Sequence, residues 1–449
     1  MQEMPFKEGR RKSRGRPLKL TNDSNNNNKN GFCFLKEEHE KYFFNKLIEE
    51  HNEKLFWQKL SNSRLDQIPY FKFNENDLSN ICESKENIKY SKTNEILNLK
   101  NIKEINIGND IIYSLALFSH FVIAATNQYI KIYDLIDNYK EVKSIFVKEV
   151  FFNCVEVTKI DSKYYIVMGG NANSIFMYIV DNNNKISNSD SKENLEELIG
   201  HKNDITELKF LINHSNILLS ASSDSTVRLW DIKIKKLLCI YGGPFGHLSQ
   251  VLTVDFHFSE QFIASAGIDQ FVMFWNIDFV LKKYVNNETN FKKCLLKAKP
   301  FFETFIHEYY IDTVKFYGDL VLSKSTNGVI LLWKPMFNDE KDHHFIIKKF
   351  YYNPSEIWFI KFHLNLIDNL LIIGDIGKLN IFDLNNKKSY EARTPDLSTE
   401  MSKIPNENIL YRSVVYDNIR KLIIVGKENG NLSFAKLDIK SNDGISKKK

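Results

Sequence analysis

Two stretches of this chain open on Gly-His and close on tryptophan, and their spacing constrains the fold more than any other feature. The first runs Gly200-His201 … Ser220 … Asp224 … Trp230-Asp231. The second runs Gly246-His247 … Ser265 … Asp269 … Trp275-Asn276. The two tryptophans stand 45 residues apart (275 − 230). A Gly-His start and a Trp-Asp end recurring at ~40–45 residues mark one four-stranded propeller blade. A blade cannot bury its faces alone, so the repeat implies neighbours stacked on both sides.

Counting outward from this pair gives seven aromatic residues placed where a third strand should end. They are Tyr133, Tyr178, Trp230, Trp275, Trp333, Phe382 and Phe434, at intervals of 45, 52, 45, 58, 49 and 52 residues. From residue 101 onward, short β-branched runs alternate with Asn, Asp and Gly turns. The pattern predicts an all-β, seven-bladed WD-repeat β-propeller over 101–440. The longer intervals predict insertions near 181–198, 280–306, 336–347 and 385–406.

The three blades that close on tryptophan share a finer register. Serine lies ten residues before the tryptophan at Ser220, Ser265 and Ser323, and Asp224, Asp269 or Asn327 lies six before it. With His201 and His247, these residues suit a hydrogen-bonded chain from histidine through serine to Trp230, Trp275 or Trp333. Buried polar groups need partners, and such a chain fixes each strand's place. A metal-binding or acid–base role for the same residues fits less well, because the set repeats from blade to blade. His307, His343 and His344 fall in longer connections, and the sequence offers them no partner set. Neither a catalytic constellation nor a metal or cofactor site is expected.

Composition narrows the class. The chain has 449 residues, 43% hydrophobic and 26% charged, with a net charge of only +5. That suits a large globular core and argues weakly for a polyanion partner. The five cysteines form no C-x-x-C pair, so reduced thiols are expected rather than zinc or a disulfide framework. No signal peptide and no run of ~18 apolar residues is visible, so no membrane partner is expected.

The charge is unevenly spread. Residues 1–34 are basic and then Asn-rich, and are expected to be disordered. Within them Arg14-Gly15-Arg16-Pro17 resembles an AT-hook, whose arginines suit the narrow minor groove of A·T-rich DNA. The same basic run also reads as a nuclear localisation signal, and both readings point to the nucleus. Residues 35–100 read as a helical arm and a linker feeding the first blade. Phe43, Phe44, Leu47, Ile48, Leu55, Phe56 and Leu60 recur at near-helical spacing, fitting either an arm on the propeller or a partner helix. The tail 441–449 ends in three lysines and is expected to be disordered.

Four segments go beyond the generic repeat. The run from Gly200 to Phe210 resembles the extra sex combs / EED family, the WD-repeat subunit of Polycomb repressive complex 2. Tyr241-Gly242-Gly243-Pro244-Phe245-Gly246-His247 resembles that family's F-G-G-x-x-G-H. Gly318-Asp319-Leu320-Val321-Leu322-Ser323-Lys324-Ser325, leading to Trp333-Lys334-Pro335, is similar to its G-D-L-I-L-S-K-S … W-K-P. Glu356-Ile357-Trp358-Phe359-Ile360-Lys361-Phe362 is similar to its D-I-W-Y-M-R-F. The likeness is clear from about 200 to 383, fainter over 108–180 and 408–437, and absent from 1–100.

The resemblance implies a non-catalytic chromatin reader and scaffold. It would bind a trimethylated histone H3 tail at one channel mouth and support a SET-domain methyltransferase subunit on the opposite face. By motif, the trimethyl-lysine cage falls on Tyr113, Phe152, Trp358 and Phe359, reading Tyr, Phe, Trp, Phe where the family has Phe, Tyr, Trp, Tyr. Aromatic faces suit a quaternary ammonium, at ~0.5–2 kcal/mol per favourable ring. Each ring alone could equally be core packing, and a propeller that assembles partners without reading a mark is the alternative.

Overall fold

The computed structural model describes residues 96–181, 195–285, 294–296, 299–337, 344–353, 357, 359–385, 392–401 and 408–440. The basic arm with Arg14, Gly15, Arg16 and Pro17, the helix expected within 35–60, the tail 441–449, and Trp358 lie outside the described residues.

The chain enters on β1 (Ile96–Asn106), which belongs to the last blade. Blade one is β2 (Ile112–Phe118), β3 (Phe121–Thr126), β4 (Tyr129–Asp134) and β5 (Lys140–Phe146). Blade two is β6 (Phe152–Ile160), β7 (Lys163–Gly170), β8 (Ser174–Asp181) and β9 (Leu195–Ile199). Blade three is β10 (Ile205–Phe210), β11 (Ile217–Ser222), β12 (Val227–Asp231) and β13 (Lys236–Tyr241). Blade four holds β14 (Val251–Phe256), β15 (Phe262–Gly267) and β16 (Phe271–Asn276). An excursion follows through α1 (Asp278–Val285) and β17 (Cys294–Leu296), before β18 (Phe302–Phe305) completes the blade. Blade five is β19 (Ile311–Tyr317), β20 (Leu320–Ser325), β21 (Val329–Pro335) and β22 (His344–Tyr351). Blade six is β23 (His363–Asn365), β24 (Leu370–Gly374) and β25 (Leu379–Asp383), followed by β26 (Ala392–Arg393) and its outer strand β27 (Leu397–Thr399). Blade seven is β28 (Tyr411–Asp417), β29 (Leu422–Lys427) and β30 (Asn431–Lys440), completed by β1.

All seven predicted aromatic residues, from Tyr133 to Phe434, sit on the third strand of their blades. Strands covered on both faces read as unbroken apolar runs, and β3, β11 and β24 are buried at every position. Outer strands face water on one side and alternate, as β18 does.

Seven hydrophobic clusters form, and each draws on two adjacent blades. Leu229 meets Trp275 between blades three and four, Phe274 meets Trp333 between four and five, and Val122 meets Phe434 between one and seven. Seven blades with seven apolar interfaces make a closed ring.

β1 closes it by pairing antiparallel with β30, from Ile96↔Lys440 to Asn106↔Asn431. Among the described residues the propeller thus includes Ile96–Lys100, ahead of the expected 101, and this strand pairs into blade seven. Its backbone pairs with the edge that β30 would otherwise leave open. Two insertions are also structured. β17 adds a parallel fifth strand to β13, and β26 does the same for β22. Ahead of β17, α1 drops Val280 and Leu281 into the cluster between blades three and four. Its Asp278 and Lys282 pair at 2.7 Å, with the acid at the N-terminal end.

Removing β1 leaves the β30 edge unpaired, which is a template for association. A chain starting at Ile107 should melt at lower temperature and form oligomers by size-exclusion chromatography. Unchanged melting and a monomeric profile would show that the ring does not need its closing strand.

Candidate functional site

The polar chains of the tryptophan blades are laid out in full. His201 places Nδ1 2.9 Å from Asp224 and Nε2 2.7 Å from Ser220 Oγ, and Trp230 Nε1 donates to the same oxygen at 2.9 Å. In blade four, His247 lies 2.9 Å from Asp269 and 2.7 Å from Ser265 Oγ, with Trp275 donating at 2.8 Å. In blade five, His307 takes the histidine's place, 2.8 Å from Ser323 Oγ, and Trp333 donates to that oxygen at 2.9 Å. Asn327 instead accepts a hydrogen bond from Ser325.

A search for Gly-His misses His307, because Ile306 precedes it and its distance to the serine has shrunk. The histidine–serine offsets are 19, 18 and 16 residues. His344 bonds Thr304 at 2.8 Å, and His343 lies outside the described residues. Burial pushes the His201 imidazole down despite Asp224, and pushes His307 down to about 3. In both, burial disfavours the charged form, and each holds the serine of its blade. Among the described residues, no group of three or more His, Cys, Asp or Glu is placed to hold a metal ion.

The first strand of each blade faces the channel with one edge unpaired by any strand. Side chains of the preceding blade fill part of that edge. Val155 N donates to Ser114 Oγ at 3.3 Å, Val254 N to Glu207 at 2.9 Å, Val314 N to Thr253 Oγ1 at 3.0 Å and Phe316 N to Asp255 at 2.8 Å. In three of these four bonds the third residue of one inner strand caps the fourth residue of the next inner strand, so these strands run in one direction and start at one mouth.

Charges interlock inside the channel. Lys361 reaches across from blade six to Glu207 at 3.1 Å and to the carbonyls of Thr206 and Leu252 at 3.4 and 3.3 Å. Lys315 approaches Glu207 at 3.4 Å, and Lys209 pairs with Glu156. Burial alone would raise the Glu207 carboxyl, but Lys315, Lys361 and Lys209 outweigh it and hold it at about 2. Burial, with Lys209 and Lys315 nearby, pushes His363 down to about 4.

At the mouth, six inner strands carry a bulge at their second residue. The bulged residues are Tyr113, Asn153, Thr206, Leu252, Asp312 and Arg412. A bulge re-aims a side chain, and here it repeats around the ring. Thr206, Leu252 and Asp312 are buried, with Asp312 bound to the fully buried Lys324 at 2.6 Å. Tyr113 and Asn153 stay half-buried.

This register decides where the aromatic candidates sit. Phe152 precedes the bulge and shares the position of Ile112, Ile205, Val251 and Ile311, all wholly buried. Its ring meets Phe176 edge-on at 6.2 Å inside the cluster between blades one and two, so as placed it presents no face to a ligand. The residue beside it, Phe151, is the exposed one at 44%. Phe359 is half-buried at the head of blade six, with φ at 63°. Tyr113 and Phe359 therefore stand half-buried at the starts of their blades, Phe152 is core, and Trp358 is not described.

Among known proteins, residues 192–231 and 238–276 match the family described as WD domain, G-beta repeat. "Polycomb protein esc" of Drosophila melanogaster is 32% identical over 237 residues, covering 49% of this chain and 56% of the fly protein. "Polycomb group protein FIE1" of Oryza sativa is 29% identical over 239 residues, covering 51% of this chain and 49% of the rice protein. The chain thus spans about half the length of these relatives. The solved structure "Chaetomium thermophilum Polycomb Repressive Complex 2 bound to GSK126" contains a chain that superposes with a TM-score of 0.58 at 15% identity, covering 76% of this chain and 98% of that one. At that identity the match speaks for the propeller fold.

Two outcomes follow for the channel. Glu207→Gln should cost about 3–5 kcal/mol in chemical denaturation, because it strips Lys361 and Lys315 of their shared buried counter-charge. His307 and His363 hold folded-state values of about 3 and about 4, below the ordinary 6.5. Their contribution is therefore whole above pH 6.5 and is lost as pH falls toward 4 and 3, where the unfolded chain binds the extra protons. Melting temperature should drop across that window, and His363→Gln should flatten the drop. An equal slope in the variant would remove His363 as a source.

Proposed function

We propose that this relative of the extra sex combs proteins is a non-catalytic, nuclear scaffold subunit of a Polycomb-type histone H3 lysine methyltransferase complex. We propose too that its channel mouth reads trimethyl-lysine. The observation that carries the first part is the 32% identity over 237 residues to a protein named for Polycomb function. The propeller itself suits the role, since its faces are large and its polar interior is spent on holding the blades together.

The reading role rests on the motif Glu356–Phe362 and on Phe359. A phenylalanine at positive φ is strained, and such strain collects at ligand clamps. A trimethylated lysine keeps its charge but has no N–H to donate, so ring faces recognise it better than carboxylates do. On the resemblance, a SET-domain subunit would dock on the opposite face, and mark binding would be coupled to its activity. The arm around Arg14–Pro17 would add contact with A·T-rich DNA.

A second reading, a scaffold that reads no mark, is favoured by one observation: Phe152 is wholly buried. Binding decides between the two. Histone H3 peptides trimethylated at single lysines should bind the full chain with Kd in the micromolar to tens-of-micromolar range. Phe359→Ala and Trp358→Ala should each weaken that binding about tenfold or more while the melting temperature holds. Equal affinity for unmodified peptide, alongside co-purification of a SET-domain protein, would leave the scaffold alone standing. Replacing Arg14 and Arg16 with alanine should lower affinity for an A·T-rich duplex in fluorescence anisotropy, and unchanged affinity would clear the arm of that role.

A further inference from the structure

Arg412 is the bulged residue of β28, on the blade between those that carry Phe359 and Tyr113. Its guanidinium carbon lies 5.3 Å from the centre of the Tyr113 ring. One of its amino nitrogens lies 2.9 Å from a Glu428 carboxylate oxygen. Glu428 follows β29, whose last residue Lys427 pairs with Tyr411, so it stands at the same end of blade seven. The arginine side chain is only 9% exposed, whereas that of Glu428 is 39% exposed.

A cation within about 6 Å of a ring centre is held by the ring quadrupole. Arg412 therefore already occupies what an incoming methylammonium would use: a face of Tyr113 and a neighbouring carboxylate. We infer that Arg412 is a resident cation of this mouth, which competes with methyl-lysine for Tyr113 and withholds Glu428 from it. The inference rests on reading the mouth as a methyl-lysine site.

Methyl-state preference follows from hydrogen-bond inventory. Trimethyl-lysine can gain only ring contact when the guanidinium leaves. Monomethyl-lysine keeps two N–H donors, so it would gain the ring and a charge-assisted bond to Glu428 as well. The paired arginine thus holds the mouth to the trimethyl form. A residue that contacted the ligand directly would have the opposite effect on affinity when removed.

The test uses the full chain, Arg412→Gln, Glu428→Gln and the double variant. Each is titrated with the tri- and monomethyl forms of the H3 peptide that the full chain binds best, with thermal melts alongside. Arg412→Gln should bind the trimethyl peptide about 2–5-fold tighter and the monomethyl peptide about tenfold tighter or more. The double variant should keep the first gain and lose the excess for monomethyl. Glu428→Gln alone unclamps the arginine and should tighten the trimethyl peptide, which keeps the test open if Arg412→Gln does not fold. Weaker or unchanged binding in every variant, with a full chain that does bind, overturns the resident cation alone. Absence of methyl-dependent binding in all four proteins overturns the reading of the mouth together with it.

Discussion

A closed ring of sheets turns one strand edge of every blade toward the channel, where no further strand can pair with it. Those backbone groups are shielded from bulk water and must find partners. Here the partner is a side chain from the blade before: Ser114, Glu207, Thr253 and Asp255 accept N–H groups one blade along. The channel is polar because the edges demand it, and the charges that serve the edges must in turn be balanced. Glu207 shows the chain of need: it accepts from Val254, and Lys361 and Lys315 then neutralise it. The apolar interfaces hold neighbouring blades together, while this inner lattice sets their order and height.

How much of this is written locally varies with sequence distance. Trp230 and Trp275 announce themselves, since the serine that each bonds lies only ten residues away. Tyr133, Phe382 and Phe434 are readable only by counting from those two, because a third strand needs a large ring more than it needs an indole. His307 shows where a motif stops: the same hydrogen bond forms without the glycine and at a shorter offset. The cross-blade caps leave no local trace, because donor and acceptor are 41 to 61 residues apart. β1 is harder still, since nothing near Ile96 says that its partner is Lys440.

The mouth shows a subtler limit. Motif likeness identifies a segment, but the pleat decides which of two neighbours faces out. In blade two the bulge gives the outward place to Asn153 and sends Phe152 inward, the same exchange that puts Tyr113 out and Ile112 in. One residue of register changes a ligand face into core. The rings of this mouth stand among cations, with Lys361 reaching across the channel and Arg412 beside Tyr113. Each of these cations is already paired with a carboxylate, Lys361 with Glu207 and Arg412 with Glu428.

The pairing of Ile96 with Lys440 also bears on how the protein is made. Partners 344 residues apart (440 − 96) are the longest-range contact the fold contains among its named strand pairs, and they form last on the ribosome. β1 must wait, unpaired, until β30 has been synthesised. Six blades can assemble behind it in order, but the seventh is completed by two strands from opposite ends of the propeller sequence. During that interval both edges are exposed to other nascent chains, so chaperone protection matters most for β1 and β30, the two strands that end up holding the ring shut.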